Sequence, residues 1–513
     1  MQIAATHYFI SNARNFIVAD MNKPNILFIM SDQMRHDALA CNGNAHIKTP
    51  GFDRMAARGV NFINSFTPNP ICVPARASIT TGMYSNKCTG QKDNDGIIKE
   101  GMPLMGEELR RAGYATYAMG KLHYEPYSPP GVPRVTHGID NVELHESGRI
   151  LGQFDPGHKL RGLEDYHDYL HEVGWGGYSR GNGMGNNDIY PAVSAIPAEH
   201  YSDAWVANRA IFHMDKHITE NPDQPFFMWA SFPKPHSAFD PPRPFDSMYD
   251  PRTLPPPTGT IEDIIERGHL DWYRQWWIRY WDLLSPECKQ VIKAHYYGLV
   301  SFQDTCVEKM LDFLDAKAPN TIVVYTADHG EMLGDFGIYF KANMYNGSIR
   351  VPFMISFPGV IPAGVQSDAL VGLQDILPTL MSLIGCLMET EVDGCDLTPV
   401  LTGRDTGRDI YVAQTGDSPK QEYMAVSREF KYIYGEMGGR EELYDQANDI
   451  HELQDLSDNP QYAGVKAGLK NKLTDWLKVN DPGMINSTGY SQSPVEFSLE
   501  KPDRHNLYGR RHY

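Results

Sequence analysis

No stretch of this 513-residue chain approaches the roughly 18 consecutive apolar residues that a membrane-spanning helix needs. The first twenty residues hold no lysine and only Arg14, and His, Asn, Ser and Asp interrupt their apolar positions, so no secretory leader is evident. These absences predict a soluble, cytoplasmic protein with no membrane partner. Positive charge is scarce as well: 46 Lys and Arg against 64 Asp and Glu leave a formal charge of −18. A chain without a basic footprint is not expected to bind nucleic acid. Any anion it binds must be held by local charge, because the overall field works against it. The seven cysteines include no CxxC pair and no metal-ligand spacing, and their odd number leaves at least one thiol outside any disulfide set. Internal repeats and low-complexity tracts are lacking too.

What is present reads as an α/β chain. Asn25–Met30, Tyr114–Met119, Phe226–Ser231 and Thr321–Thr326 are short continuous apolar runs, the pattern of parallel strands covered on both faces. Each runs straight into polar residues: Ser31-Asp32-Gln33, Gly120-Lys121-Leu122-His123, Phe232-Pro233-Lys234-Pro235-His236 and Ala327-Asp328-His329-Gly330. The carboxyl ends of strands are where open α/β sheets place ligands. One such end means little, but four together point to a site. Helical segments around Met105–Ala112, Ser202–His217 and Val291–Leu314 intervene, and a further helix is expected from Thr49-Pro50, with Thr49 as its cap. The whole predicts a large, mainly parallel sheet flanked by helices.

Beyond Gly394 the texture changes. Asp409–Thr415, Tyr423–Arg428 and Lys431–Gly435 alternate and are separated by polar turns, predicting an antiparallel sheet. Val465–Val479 follows with apolar residues at helical spacing. We therefore expect an N-terminal extension over 1–21, a main domain over 22–400, a small subdomain over 401–480 and a tail over 481–513 that wraps the surface or a neighbouring subunit. Residues 125–200 and the proline-dense, Trp-rich segment 237–285 read as binding loops. Core packing is the ordinary explanation for Trp272, Trp276, Trp277 and Trp281, with a sugar-stacking rim the alternative.

The most informative stretch is Ile71-Cys72-Val73-Pro74-Ala75-Arg76-Ala77-Ser78-Ile79-Thr80-Thr81-Gly82. Pro74 is tolerated early in a helix and Gly82 reads as its stop. Cys72 would lie at a helix N-terminus, where exposed N–H groups and the helix dipole favour negative charge, with Arg76 one turn on. Local physics alone leaves two readings level: an anion-facing nucleophile, or a buried cysteine ahead of an ordinary helix.

The stretch resembles the Cys-x-Pro-x-Arg signature of the type I sulfatases in the alkaline phosphatase superfamily. The resemblance extends over about residues 22–480, with the strings at 32–33, 72–82, 120–123, 233–236, 328–331 and 341–353 in the family's order. It implies that Cys72 is oxidised by a maturase to formylglycine, whose hydrated aldehyde supplies the nucleophilic hydroxyl. It places a divalent metal on Asp32, Gln33, Asp328 and His329, usually Ca²⁺, with Mn²⁺ or Mg²⁺ as alternatives. The imidazole pulls an otherwise oxygen-rich donor set away from the hardest cations. Arg76, Lys121 and Lys341 would hold the sulfuryl oxygens, His236 would protonate the departing alcohol, and His123 would assist on the nucleophile side. The sequence departs from the most familiar pattern, which has Asp-Asp and Asp-Asn at the two metal pairs. Gln33 and His329 are the choices of several bacterial sulfatases and of phosphonate monoester hydrolases.

The expectation is thus a formylglycine-dependent sulfatase acting on a sulfated sugar or glycan, with the tail as a candidate for homo-oligomer contacts. Its rivals are a phosphonate monoester or phosphodiester hydrolase on the same scaffold, and a non-catalytic sulfated-glycan binder.

Overall fold

The computed structural model describes residues 23–123, 132–146, 157–158, 160–269, 281, 284–487 and 489–494. The expected N-terminal extension lies outside them, as do Trp272, Trp276 and Trp277.

An eight-stranded sheet organises the described residues: β1 (Asn25–Asp32), β2 (Val60–Phe66), β3 (Ala115–Gly120), β4 (Asn141–Leu144), β5 (Phe226–Pro235), β6 (Thr321–Ala327), β7 (Phe353–Ser356) and β8 (Val365–Gly372). Their order across the sheet is β4-β3-β5-β1-β6-β7-β2-β8. β7 alone runs against its neighbours β6 and β2, and the other strands are parallel. β1 sits between β5 and β6, with Ile29 opposite Ala230 on one side and Tyr325 on the other. The apolar runs read from the sequence are the buried strands of this sheet, covered on both faces as parallel strands must be. Because β3, β5, β1 and β6 are adjacent and point the same way, their four polar carboxyl ends meet along one edge.

The longer helices are α1 (Pro50–Ala57), α2 (Cys72–Thr81), α3 (Met105–Arg111), α4 (Asp165–Glu172), α5 (Ser202–Glu220), α6 (Pro286–Lys317), α7 (Ile376–Leu383) and α8 (Ala463–Asn480). α1 begins after Thr49, but the Thr49 side chain is not its cap. Thr49 Oγ1 instead accepts the N–H of Ala40 (2.9 Å), and the carboxylate of Asp304 on α6 accepts the N–H groups of Gly51 (3.0 Å) and Phe52 (2.8 Å). A helix end needs an acceptor, and here a charged group far along the chain supplies it.

A second sheet is antiparallel: β9 (Tyr411–Thr415), β10 (Glu422–Val426), β11 (Phe430–Gly435) and β12 (Arg440–Asp445), in the order β12-β11-β10-β9. Glu442-Leu443-Tyr444-Asp445 belongs to the fourth strand, with Tyr444 opposite Lys431. Leu469, Leu473 and Leu477 of α8 bury against this sheet with Tyr423, Tyr432 and Tyr434. The described part of the tail packs on its own chain, where the Tyr490 ring meets Tyr434 edge-on at 4.6 Å. Trp281 is buried against Tyr339 and Phe340, as the core-packing explanation expects for that residue. No helix of the described residues is long and apolar enough to cross a membrane.

Trp229, beneath the site edge on β5, is almost fully buried and tilts over Phe28 at 5.0 Å. Trp229→Ala is expected to cost about 3–5 kcal/mol of folding free energy, read from urea unfolding; a loss under about 1 kcal/mol would contradict this packing role.

Candidate active site

The strand edge is completed by α2. Its ten residues are all buried, and it ends at Gly82, whose φ of +70° and N–H bond to Ser78 O (2.9 Å) make the left-handed stop that glycine adopts without penalty. Cys72 opens the helix, and the amides that follow it are taken up by the protein itself. The Val73 N–H donates to Asn94 Oδ1 (3.1 Å), Pro74 has none, and Ala75 N–H is bonded to Ile71 O. Side-chain cations add positive charge beside Cys72.

Cys72 Sγ stands 3.1 Å from His329 Nε2 and 4.0 Å from Asp32 Oδ1. Arg76, one turn along α2, donates from Nε to Asp328 Oδ2 (2.8 Å), and from Nη1 to Lys121 O (2.5 Å) and Ser231 Oγ (3.1 Å). Lys121 Nζ donates to Asp32 Oδ2. Lys341 Nζ donates to Gln33 Oε1 (2.5 Å) and to His236 Nε2 (3.0 Å). Cys72, Arg76, Lys121, Asp32, Asp328 and His329 are all at most 2% exposed. The structure thus gathers nine of the ten residues singled out from the sequence into one contact network. His123 joins it through the backbone: it follows Lys121 at a φ of +57°, and its N–H donates to Glu146 Oε1 (2.8 Å).

Two glutamates and a serine in this network had no role assigned from sequence. Glu331 Oε1 accepts the N–H of Leu333 (2.9 Å) and of Phe340 (2.5 Å), while Oε2 accepts Gln33 Nε2. It fixes the Gln33 amide so that Oε1 points at Lys341. Glu146 accepts the N–H of Leu122 (3.0 Å) as well as that of His123, and so holds the turn after β3. Ser231 steadies Arg76. Glu331 lies in the Asp328-His329-Gly330-Glu331 string, the only one of the three with a local signal. Gly120, at the start of the β3 turn, has a φ of +103°, and a Cβ there would stand 2.0 Å from Ser231 O. Only glycine lets β3 and β5 approach closely enough to bring Lys121 onto Asp32.

The charges decide the protonation states. Burial works against the Asp32 carboxylate, but Lys121, His236, Arg76 and Lys341 hold its pKa well below the usual range. Burial pushes the Cys72 thiol up, yet Lys341 and Lys121 outweigh it and bring the pKa below the ordinary thiol value. Burial and the Lys341 ammonium keep His236 well below the usual imidazole range. His329 is raised: burial opposes the charge, and Asp328 overcomes it.

Asp32, Asp328 and His329 present ligand atoms that, with Cys72 Sγ, all lie within 4.8 Å of one another. His329 Nδ1 donates to Gly330 O (3.0 Å), so Nε2 is the ring nitrogen that faces the cluster. Gln33 Oε1 is turned to Lys341 Nζ (2.5 Å). Two carboxylates and an imidazole are a donor set that fits a divalent cation. The buried Arg76 Nη2 has no hydrogen-bond partner among the described residues, a donor suited to an anion.

A sequence model described as Sulfatase matches residues 24–386. The chain belongs to the sulfatase family. A second, described as the C-terminal region of N-sulphoglucosamine sulphohydrolase, matches 334–479 of this sulfatase. It is 31% identical over 459 residues to an arylsulfatase of Clostridium perfringens (strain 13 / Type A), covering 86% of this chain and 91% of that one. It is 26% identical over 512 residues to an N-acetylglucosamine-6-O-sulfatase of Bacteroides thetaiotaomicron, covering 90% and 88%. Among solved structures it superposes on the phosphonate monoester hydrolase of Agrobacterium radiobacter with a TM-score of 0.75 at 24% identity, over 92% of this chain and 100% of that one. The sulfatase is a sulfuric ester hydrolase with the alkaline phosphatase-like fold, and its family implies formylglycine and a divalent metal.

Because the folded Asp32 pKa lies below the roughly 3.9 of an unfolded aspartate, its stabilising contribution is full above that value and is lost as pH falls below it. Lys121→Met removes the cation that holds the carboxylate ionised. The variant is expected to lose about 3–5 kcal/mol at neutral pH and to unfold in acid at a higher pH than wild type, followed by circular dichroism. An unchanged acid midpoint would contradict this pairing.

Proposed function

We propose that this sulfatase removes sulfate from a sugar or glycan, using formylglycine made from Cys72 and a divalent metal held by Asp32, Gln33, Asp328 and His329. The observation that carries the reading is the convergence of Arg76, Lys121 and Lys341 on one buried point beside Cys72. Preorganised charge of this kind, in a site shielded from water, is commonly the largest catalytic contribution. The metal would add a Lewis acid that neutralises charge on the sulfuryl oxygens and fixes the attacking hydroxyl. Ca²⁺ suits the oxygen-rich donors, with Mn²⁺ favoured by the imidazole.

The chain's own groups then divide the work. Arg76 Nη2 and the lysine ammoniums take the sulfate oxygens. Lys341 touches both Gln33 and His236, so a bound sulfate draws it from His236 Nε2 and adds negative charge beside that ring. Both changes favour the protonated imidazole, which the free site disfavours. His236 Nδ1 is anchored on Ser237 O (2.9 Å), so Nε2 is the atom that delivers the proton to the leaving oxygen. His123, held by Glu146, assists release on the nucleophile side. Glu331 keeps the Gln33 oxygen facing inward.

A sugar substrate is supported by the relative named as an N-acetylglucosamine-6-O-sulfatase. Gln33 and His329 favour a second reading, a phosphonate monoester or phosphodiester hydrolase. Turnover of p-nitrophenyl sulfate, a panel of sulfated sugars and a phenyl phosphonate monoester by protein co-expressed with the maturase decides between them. Sulfate release from at least one sugar is expected, and a phosphonate preference above about tenfold, some 1.4 kcal/mol, would overturn it.

His236→Ala is expected to lower kcat on a sugar sulfate by about 10²–10⁴-fold. The loss on p-nitrophenyl sulfate should be smaller, because that leaving group needs less protonation. Equal losses on both would contradict the acid role. Glu331→Gln is expected to weaken metal affinity, measured by calorimetry on the metal-free protein, and Gln33→Glu combined with Glu331→Gln should restore part of it by exchanging donor and acceptor. A metal affinity untouched by Glu331→Gln would contradict its positioning role.

A further inference from the structure

A second group of ligating side chains lies beyond the β3 turn, outside the network around Cys72. β4 ends at Leu144, and the next residue, His145, turns inward. Glu164 flanks the start of α4 and His167 follows one turn later, so the i, i+3 spacing sets both on one face. Glu164 Oε1 accepts His145 Nδ1 and lies 3.6 Å from His167 Nε2. The ligand atoms of the three residues all fall within 4.8 Å of one another. His167 has a side chain only 10% exposed, yet its Nε2 is buried with no hydrogen-bond partner among the described residues. A buried polar atom of this kind is costly unless something meets it. His145 and His167 also line a cavity of about 30 Å³ with Arg180, Tyr201, Lys234 and Asp240. That space accommodates an ion with a water.

We infer that His145, Glu164 and His167 form a second divalent-metal site, of the zinc type, separate from the Asp32–Asp328 centre. Two imidazoles and one carboxylate are the donors that borderline ions such as Zn²⁺ prefer, whereas Ca²⁺ and Mg²⁺ want oxygen throughout. Three protein donors leave a fourth position, which opens on the cavity. Arg180 and Lys234 border the site, but Lys234 is paired with Asp240 at 2.8 Å, and the Glu146 carboxylate adds a negative charge next in sequence to His145. The site also reaches the catalytic edge. Glu146 N–H donates to Glu164 Oε1 (3.2 Å), while the Glu146 carboxylate holds the Leu122 and His123 amides. An ion on Glu164 and His145 thereby braces the turn that carries Lys121 and His123.

The test is zinc stoichiometry on the full chain. Metal-free protein is loaded with Zn²⁺ in excess Ca²⁺, desalted and analysed by elemental mass spectrometry, alongside calorimetric titration. Wild type is expected to retain one zinc equivalent that Asp328→Asn also retains and that His145→Gln/His167→Gln loses. No zinc retained by wild type, its loss in Asp328→Asn, or its full retention in the histidine variant would overturn the inference. Should the double variant fail to fold, Co²⁺ in the wild-type and Asp328→Asn proteins decides. Tetrahedral visible absorption that persists in excess Ca²⁺ supports the site, and its absence overturns it.

Discussion

Two aspartates, Asp32 and Asp328, are buried at the centre of this molecule, and everything around them is arranged so that they can stay charged. An isolated buried carboxylate would take up a proton rather than remain ionised. Arg76 and Lys121 prevent that, and Lys341 closes the cluster from the third side. The pairing costs desolvation on both partners, and a buried ion pair is weak evidence for stability in itself. Its value here lies in preorganisation. Charges already fixed against one another need little rearrangement when a cation and an anionic ester enter, and each finds its counter-charge in place.

The sheet makes such a cluster affordable. β3, β5, β1 and β6 are neighbours with a common direction, so Lys121, His236, Asp32 and Asp328 emerge at one edge although some 300 residues of chain separate Asp32 from Asp328. Gly120 permits the close approach of β3 and β5, and α2 brings Cys72 and Arg76 over the top. Behind the network, Glu331 and Glu146 hold backbone turns in place by accepting their amides. Lys121 and Lys341, which help hold Asp32 charged, also lower the pKa of the Cys72 thiol and of the His236 imidazole.

The four central strands were legible because each is a continuous apolar run that stops at polar residues, a pattern that burial on both faces imposes. The edge and short strands were not. β4 has only four half-exposed residues, β7 is equally short, and β8 begins exposed and ends buried, so none shows a period. The fourth strand of the small sheet, Arg440–Asp445, carries no alternating pattern of its own and is defined by its pairing with β11. The site strings were legible as strings. What their residues do depends on contacts across the chain that no local pattern records: Asp304 capping α1, Asn94 taking the Val73 amide, Ser231 holding Arg76. The helix that carries Cys72 and Arg76 was read correctly as an element, while the lysines that add positive charge beside it, Lys121 and Lys341, come from other parts of the chain.

The central claim is that Cys72 is the reacting position of a preorganised sulfate-ester site, and peptide mass spectrometry across Cys72 tests it most directly. Protein co-expressed with a formylglycine-generating maturase should carry formylglycine at Cys72, and sulfate release should scale with the converted fraction. Full sulfate release by protein whose Cys72 remains a thiol, or none from fully converted protein across sulfated sugars and p-nitrophenyl sulfate, would contradict the account.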